Sequence, residues 1–92
     1  MRIRWTQLAA GDLTQVCDYI EEHDGSEAAR RVALSIYQRI ETLLKFPQRG
    51  RLGRKTGTRE LVLPELPYLV VYRIREDVIE ISRILHGAQK WP

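Results

Sequence analysis

The period of the hydrophobic pattern changes once along this chain, and that change limits the fold more than any other feature. Across residues 9–44 apolar side chains recur every three or four positions, whereas across residues 58–86 they alternate or run together. The first regime is that of amphipathic helices and the second that of half-buried strands. Ala9, Leu13, Val16, Cys17 and Ile20 trace one helical face. Thr6 is placed to cap this helix, and Gly11 weakens it slightly. The stretch His23-Asp24-Gly25-Ser26 interrupts the pattern, and Ser26 can cap a second helix. There Ala29, Val32, Ala33, Ile36, Ile40, Leu43 and Leu44 form a face of about five turns. Pro47 closes it, because the residue before a proline avoids the α region. A connection this short predicts an antiparallel helical hairpin.

Strands flank the helices. Residues 2–5 alternate and form a first short strand. Residues 48–57, with Gly50, Gly53 and Gly57 among cations, form a loop. Three β-like runs follow, at 58–63, Tyr68–Arg75 and Val78–His86. Glu76-Asp77 suits a two-residue hairpin, although it lacks the usual glycine. That turn sets Arg73 opposite Glu80, Tyr72 opposite Ile81, Leu69 opposite Ile84 and Tyr68 opposite Leu85. One face then carries Tyr68, Val70, Tyr72, Ile74, Ile79, Ile81, Arg83 and Leu85 toward the helices. The other leaves Leu69, Val71, Ile84 and His86 on an open side. The element order is β-α-α-β-β-β.

With 92 residues, the chain is one domain spanning 1–92. No apolar run approaches a membrane span, so no membrane role is expected. The N-terminus lacks an apolar signal core, so a cytoplasmic home is expected. A lone cysteine, Cys17, forms neither an internal disulfide nor a cysteine metal cluster, and nothing in the sequence calls for a metal or cofactor.

Charge is unevenly placed. Residues 12–27 hold six acids and no lysine or arginine, whereas residues 49–59 hold five bases and no acid. Outside that basic segment the chain has 10 bases against 12 acids, so its net charge of +3 resides in one loop. Arg49, Arg51, Arg54, Lys55 and Arg59 are therefore the candidate target-binding residues, suited to phosphate or to an acidic protein surface. The four in the glycine-rich part are expected to be solvated. His23 sits in a polar turn and reads as a surface residue. His86 ends the last strand, where an imidazole could act as a general acid or base. Arg83 is expected to pair with a helix carboxylate, with Asp12 the candidate. Trp5 and Trp91 are read as packing residues.

Several segments, taken in order, resemble the RelE/ParE superfamily of bacterial toxins from type II toxin–antitoxin systems. They are Trp5-Thr6 with Ala9, Ala10 and Asp12-Leu13; Asp18-Tyr19-Ile20; Phe46-Pro47 with Gly50-Arg51; and Thr58-Arg59-Glu60-Leu61-Val62. The match is strongest in Pro67-Tyr68-Leu69-Val70-Val71-Tyr72-Arg73-Ile74 and Ile84-Leu85-His86-Gly87-Ala88-Gln89. The resemblance implies an α+β fold of two layers, a helical hairpin packed on a mainly antiparallel four-stranded sheet with the first strand beside the last. It also implies a toxin held inactive by a cognate antitoxin that wraps it, with Leu13, Val16, Ile20, Ile36 and Ile40 the expected antitoxin-binding face.

Two activities occur in that superfamily. ParE-like members bind and inhibit DNA gyrase, whereas RelE-like members cleave mRNA on the ribosome. RelE-like nucleases commonly carry arginine second in a Tyr-Arg-Leu-Val-Tyr-type strand, and the position is Leu69 here. Loss of a charge-stabilising arginine typically costs several kcal/mol in such chemistry. The ParE-like reading is therefore favoured, with no catalytic residue; on the alternative, Arg59 and His86 would carry the nuclease.

Overall fold

The computed structural model describes residues 1–87, so Ala88, Gln89 and Trp91 lie outside the described residues. The elements are β1 (Arg2–Trp5), α1 (Gln7–Asp24), α2 (Ser26–Glu41), a 3₁₀ turn (Thr42–Leu44), β2 (Arg51–Leu52), β3 (Arg59–Val62), β4 (Tyr68–Arg75) and β5 (Val78–His86). They form a two-layer α+β fold. The sheet order is β1-β5-β4-β3-β2, with β1 parallel to β5 and every other pair antiparallel. The first strand thus lies beside the last, as expected. The sheet has five strands rather than four, because Arg51 and Leu52 pair with Glu60 and Arg59 and convert part of the expected loop into an edge strand.

Thr6 caps α1 as its sequence position predicts: its Oγ1 accepts from the Ala9 N–H at 3.1 Å. The hairpin between helices is tighter than expected. Helix α1 continues through Asp24, and Gly25 alone turns the chain at φ 94°, a conformation open to glycine. Ser26 is therefore already helical and makes no capping bond. The second helix ends at Glu41, and the 3₁₀ turn carries Leu43 into the core in its place. Ala9, Leu13, Ile36, Ile40 and Leu43 pack on Leu61, Val70, Tyr72, Ile79, Ile81 and Ile84.

The β4–β5 hairpin follows the predicted register from its turn to Tyr72, with Arg73 opposite Glu80 and Tyr72 opposite Ile81. Glu76 occupies the turn at φ 54°. The ion pair of Glu80 is made to Arg4 of β1, at 2.8 Å. Beyond Tyr72 the register slips: Val71 faces Arg83, Val70 faces Ile84, Leu69 faces Leu85 and Tyr68 faces His86. Ser82 is the additional residue of a β-bulge, and Ile84, Leu85 and His86 change face, whereas Arg83 still reaches Asp12 on α1. Ile84, expected on the open side, belongs to the main core, and Leu85 joins Leu69 and Val71 in a second buried cluster.

The bulge is held from outside the sheet. The Thr6 N–H donates to the Ile81 carbonyl at 3.1 Å and Thr6 Oγ1 donates to the Ser82 carbonyl, also at 3.1 Å. Asp12 accepts three bonds, from Arg83 Nε at 2.8 Å, Arg83 Nη2 at 3.1 Å and the Ile84 N–H at 2.9 Å. The predicted Asp12–Arg83 pair is thus bidentate, and it also satisfies a backbone donor that the interrupted ladder leaves without a strand partner. Both side chains are mostly shielded, at 12% and 22% exposure. Replacing Asp12 with alanine leaves a guanidinium and a backbone N–H without their acceptor. Asp12→Ala is expected to cost about 2–3 kcal/mol, read as a fall in melting temperature of roughly 10 °C or more.

Candidate functional site

The basic segment is the first candidate, and its shape comes from the sheet beneath it. Tyr72 of β4 is fully buried, yet its hydroxyl reaches the start of the segment. It donates to the Pro47 carbonyl at 2.7 Å and accepts from the Gly50 N–H at 2.9 Å. Gly50 permits this approach, since a Cβ there would stand 2.7 Å from the Tyr72 ring and hydroxyl. Arg59 of β3 adds a second clamp, with Nη1 donating to the Gly50 carbonyl at 2.8 Å and the Gln48 carbonyl at 3.2 Å.

The third clamp is a buried carboxylate. Glu60 is 2% exposed. Its Oε1 accepts from Arg51 Nε at 3.2 Å and Arg51 Nη2 at 3.0 Å, and its Oε2 accepts from the Arg54 N–H at 3.3 Å. Arg54 Nε lies 4.0 Å from the same oxygen.

This geometry divides the five predicted target-binding cations. Arg59 is spent on the loop's own backbone. Arg51 and Arg54 are solvent-facing yet tied to Glu60, so they are structural as well as cationic, contrary to the expectation of a freely solvated run. Arg49 and Lys55 are exposed. Glu60 and Tyr72 are the residues that sequence reading missed. Their signal was present in the alternation of β3 and β4, but a carboxylate on a buried strand face gains a role only once β2 is seen to lie beside it.

The second candidate is a cleft of about 460 Å³ between α1 and the ends of β4 and β5, lined in part by Asp12, Tyr19, Tyr68, Arg83 and His86. The bulge places His86 here, on the helix side, instead of on the open face of the sheet. Its ring meets Tyr68 edge-on, with centroids 5.8 Å apart. Tyr19 on α1 stacks with His23 at 4.2 Å, and His23 Nδ1 lies 2.8 Å from the Tyr19 carbonyl, so His23 is a surface residue engaged with its own helix. Arg83 is the cleft's arginine, and Asp12 already holds it; that contact keeps its guanidinium protonated beyond the usual range, against a smaller opposing effect of burial. Burial likewise pushes the Tyr68 hydroxyl up. On α1, Cys17 is pushed up by burial and by the nearby Asp18 and Glu21 carboxylates, away from the reactive thiolate.

The five residues expected to bind antitoxin lie elsewhere. Leu13, Ile20, Ile36 and Ile40 are buried and Val16 is half-buried; Leu13, Val16, Ile36 and Ile40 pack in the core between helices and sheet. An amphipathic face must cover something, and in this chain it covers its own sheet. The apolar residues that the helices leave exposed are Leu8, Tyr19, Leu34 and Tyr37. Among the described residues, no group of three His, Cys, Asp or Glu side chains gathers as a metal set, and no helix is long and apolar enough to cross a membrane.

These elements make a small two-layer α+β fold, a short helical hairpin on a mainly antiparallel sheet with a cationic loop latched across one edge. Residues 3–91 match the family model described as the ParE toxin of the type II toxin–antitoxin system parDE, and the chain belongs to that family. It is 45% identical over 91 residues to toxin Y4kP of Sinorhizobium fredii, covering 99% of this chain and 93% of that one. It is 35% identical over 88 residues to toxin RelE2 of Caulobacter vibrioides, covering 96% and 97%. Among solved structures it is similar to a chain of the chromosomal ParDE TA system from P. aeruginosa, at TM-score 0.86 and 28% identity, covering 94% of this chain and 95% of that one.

Two expectations follow. Removing the Tyr72 hydroxyl strands the Gly50 N–H and the Pro47 carbonyl, so Tyr72→Phe should lose about 1–3 kcal/mol in a denaturant titration. Burial, the largest effect on Tyr72, pushes its hydroxyl above the ordinary tyrosine range despite the opposing Gly50 bond and Arg59 and Arg49 charges. The folded state therefore holds this proton more tightly than the unfolded one. That contribution is complete below pH ~10 and is lost as pH rises through the folded value. The phenylalanine variant should show a correspondingly shallower alkaline loss of stability.

The loop cations should also separate by their stability effects. Arg51→Glu turns a carboxylate toward buried Glu60 and should cost about 2 kcal/mol or more. Arg49→Glu should change stability by less than about 0.5 kcal/mol. Equal melting temperatures for the two variants would remove Glu60 as the latch.

Proposed function

We propose that this ParE-family toxin inhibits DNA gyrase by binding it directly, and that a cognate antitoxin neutralises it. The observation that carries the choice of activity is the state of the His86 cleft. A nuclease acting on RNA needs cations aimed at the developing phosphate charge. Here the cleft's arginine is engaged bidentately by Asp12, and Leu69 lies in a small apolar cluster with Val71 and Leu85. The basic loop, in contrast, is hydrogen-bonded to Tyr72, Arg59 and Glu60 and presents Arg49 to solvent. Fixed cations on a clamped backbone favour fast, charge-steered association with an acidic or phosphate-bearing target. The antitoxin segment is disordered alone and folds on this chain. Its apolar contacts fall on the exposed helix residues Leu8, Leu34 and Tyr37, because the inner faces are occupied by the core.

Two observations favour mRNA cleavage as the second reading: His86 is exposed beside Tyr68 in an open cleft, and a relative carries the name RelE2. Purified toxin, assayed in parallel for gyrase supercoiling and for mRNA cleavage on ribosomes, separates the two. Gyrase inhibition is expected. Arg49→Glu should weaken it at least tenfold with an unmoved melting temperature, and His86→Gln should leave it intact. Ribosome-dependent cleavage that falls 10²–10⁴-fold in His86→Gln, the loss typical of a general acid or base, would overturn the gyrase reading.

A further inference from the structure

A groove of about 450 Å³ runs between α2 and the 63–66 connection that follows β3, lined in part by Ser35, Arg39, Thr42, Leu63, Glu65 and Leu66. Arg39, in the last turn of α2, stands out in it. Its Nε is buried and has no hydrogen-bond partner among the described residues. Buried donors in folded proteins are nearly always paired, since an unpaired one loses its water without compensation. Every other arginine tied down here has an acceptor: Arg83 has Asp12, Arg51 has Glu60, Arg59 has the Gln48 and Gly50 carbonyls, and Arg4 has Glu80. A cation near a helix C-terminus is favoured by the helix dipole, which accounts for the charge but leaves the buried donor without an acceptor. Glu65 also lines the groove, yet among the described residues the Arg39 guanidinium makes no ion pair with it.

The surroundings define the missing acceptor. Leu63 and Leu66 give the groove an apolar floor, with Leu63 2% exposed and Leu66 packed against the main core. A groove lined by a guanidinium and by apolar side chains matches a planar carboxylate carried between aliphatic side chains, and Arg is suited to that pairing by its fork geometry. The groove also lies beyond the C-terminal end of β3, whereas the 53–58 part of the basic loop precedes its N-terminal end. A segment seated in the groove leaves that loop accessible.

We infer that Arg39 is an anchor for an Asp or Glu side chain of the antitoxin, seated in the groove between α2 and the 63–66 connection. The inference rests on the antitoxin part of the proposed function and names its recognition chemistry. An acidic, otherwise aliphatic segment is also complementary to the exposed arginines of α2, Arg30 and Arg31.

The test measures binding of the full-length toxin to the product of the neighbouring antitoxin gene by calorimetry, beside the melting temperature of the toxin alone. Arg39→Met keeps the aliphatic stem and removes charge and donors. It is expected to leave the melting temperature unchanged and to weaken binding at least tenfold, with a flatter salt dependence. Arg39→Lys should recover part of the loss, since it retains charge without the fork. Ser35→Trp, which fills the groove, should weaken binding as well.

In the wild-type toxin the Arg39 Nε–H resonance should shift on adding antitoxin, a readout that needs no variant. Wild-type affinity in folded Arg39→Met, or an unmoved resonance, would overturn the inference. So would unchanged antitoxin binding accompanied by lost target inhibition, which would give the groove to the target. No binding by the wild-type toxin would instead overturn the antitoxin part of the proposed function.

Discussion

The Asp12 carboxylate is the interaction on which most of the remaining geometry depends. It joins the first helix to the last strand through three hydrogen bonds at the point where the β4–β5 ladder is interrupted. A β-bulge without an external acceptor would leave a backbone donor unmatched, so the bulge and Asp12 support each other. Everything after the bulge takes its direction from it. Ile84 turns into the core, Leu85 turns away to Leu69 and Val71, and His86 turns toward α1. The same contact engages Arg83, so among the described residues the arginine lining the cleft at His86 is already paired. A structural bond thereby sets the charge presented at that end of the sheet.

A similar economy governs the loop. Tyr72, Arg59 and Glu60 lie on adjacent strands and each reaches up to hold a different part of residues 47–54. The result is a segment whose backbone is fixed while some of its cations remain outside. Preorganisation of this kind reduces the ordering cost of binding. It also means that substitutions at Arg51 and Arg54 disturb the latch on Glu60, whereas Arg49→Glu leaves it in place.

Much of the fold was legible because periodicity is a direct image of burial. The faces of both helices, the Thr6 cap, the hairpin turn and the Asp12–Arg83 pair follow from spacing and charge. The features that were not legible share a cause: each depends on a residue distant in sequence. Ser82 carries no local sign of a bulge, because the bulge is imposed by Thr6 and Asp12. Arg51 and Leu52 are a strand only because β3 offers an open edge. Leu13, Val16 and Ile20 on α1 and Ile36 and Ile40 on α2 lie on the apolar faces that periodicity predicts, but periodicity does not say whether such a face covers a partner or the chain's own sheet. The cations are readable as a cluster, whereas the burial of Glu60 and the Arg39 Nε, which has no acceptor among the described residues, depend on how distant strands and helices pack.

The parallel pairing of β1 with β5 bears on how the molecule is made. Arg2 sits opposite Val78 and Trp5 opposite Ile81, so β1 has no strand partner until β5 has been synthesised. The helical hairpin can form early from local contacts, but its apolar face has no completed sheet to cover until β5 arrives. Closing such distant contacts is the slow part of folding, and the incomplete chain exposes apolar surface meanwhile. A nascent chain of this topology therefore completes its core in one late step, when β5 enters the sheet between β1 and β4.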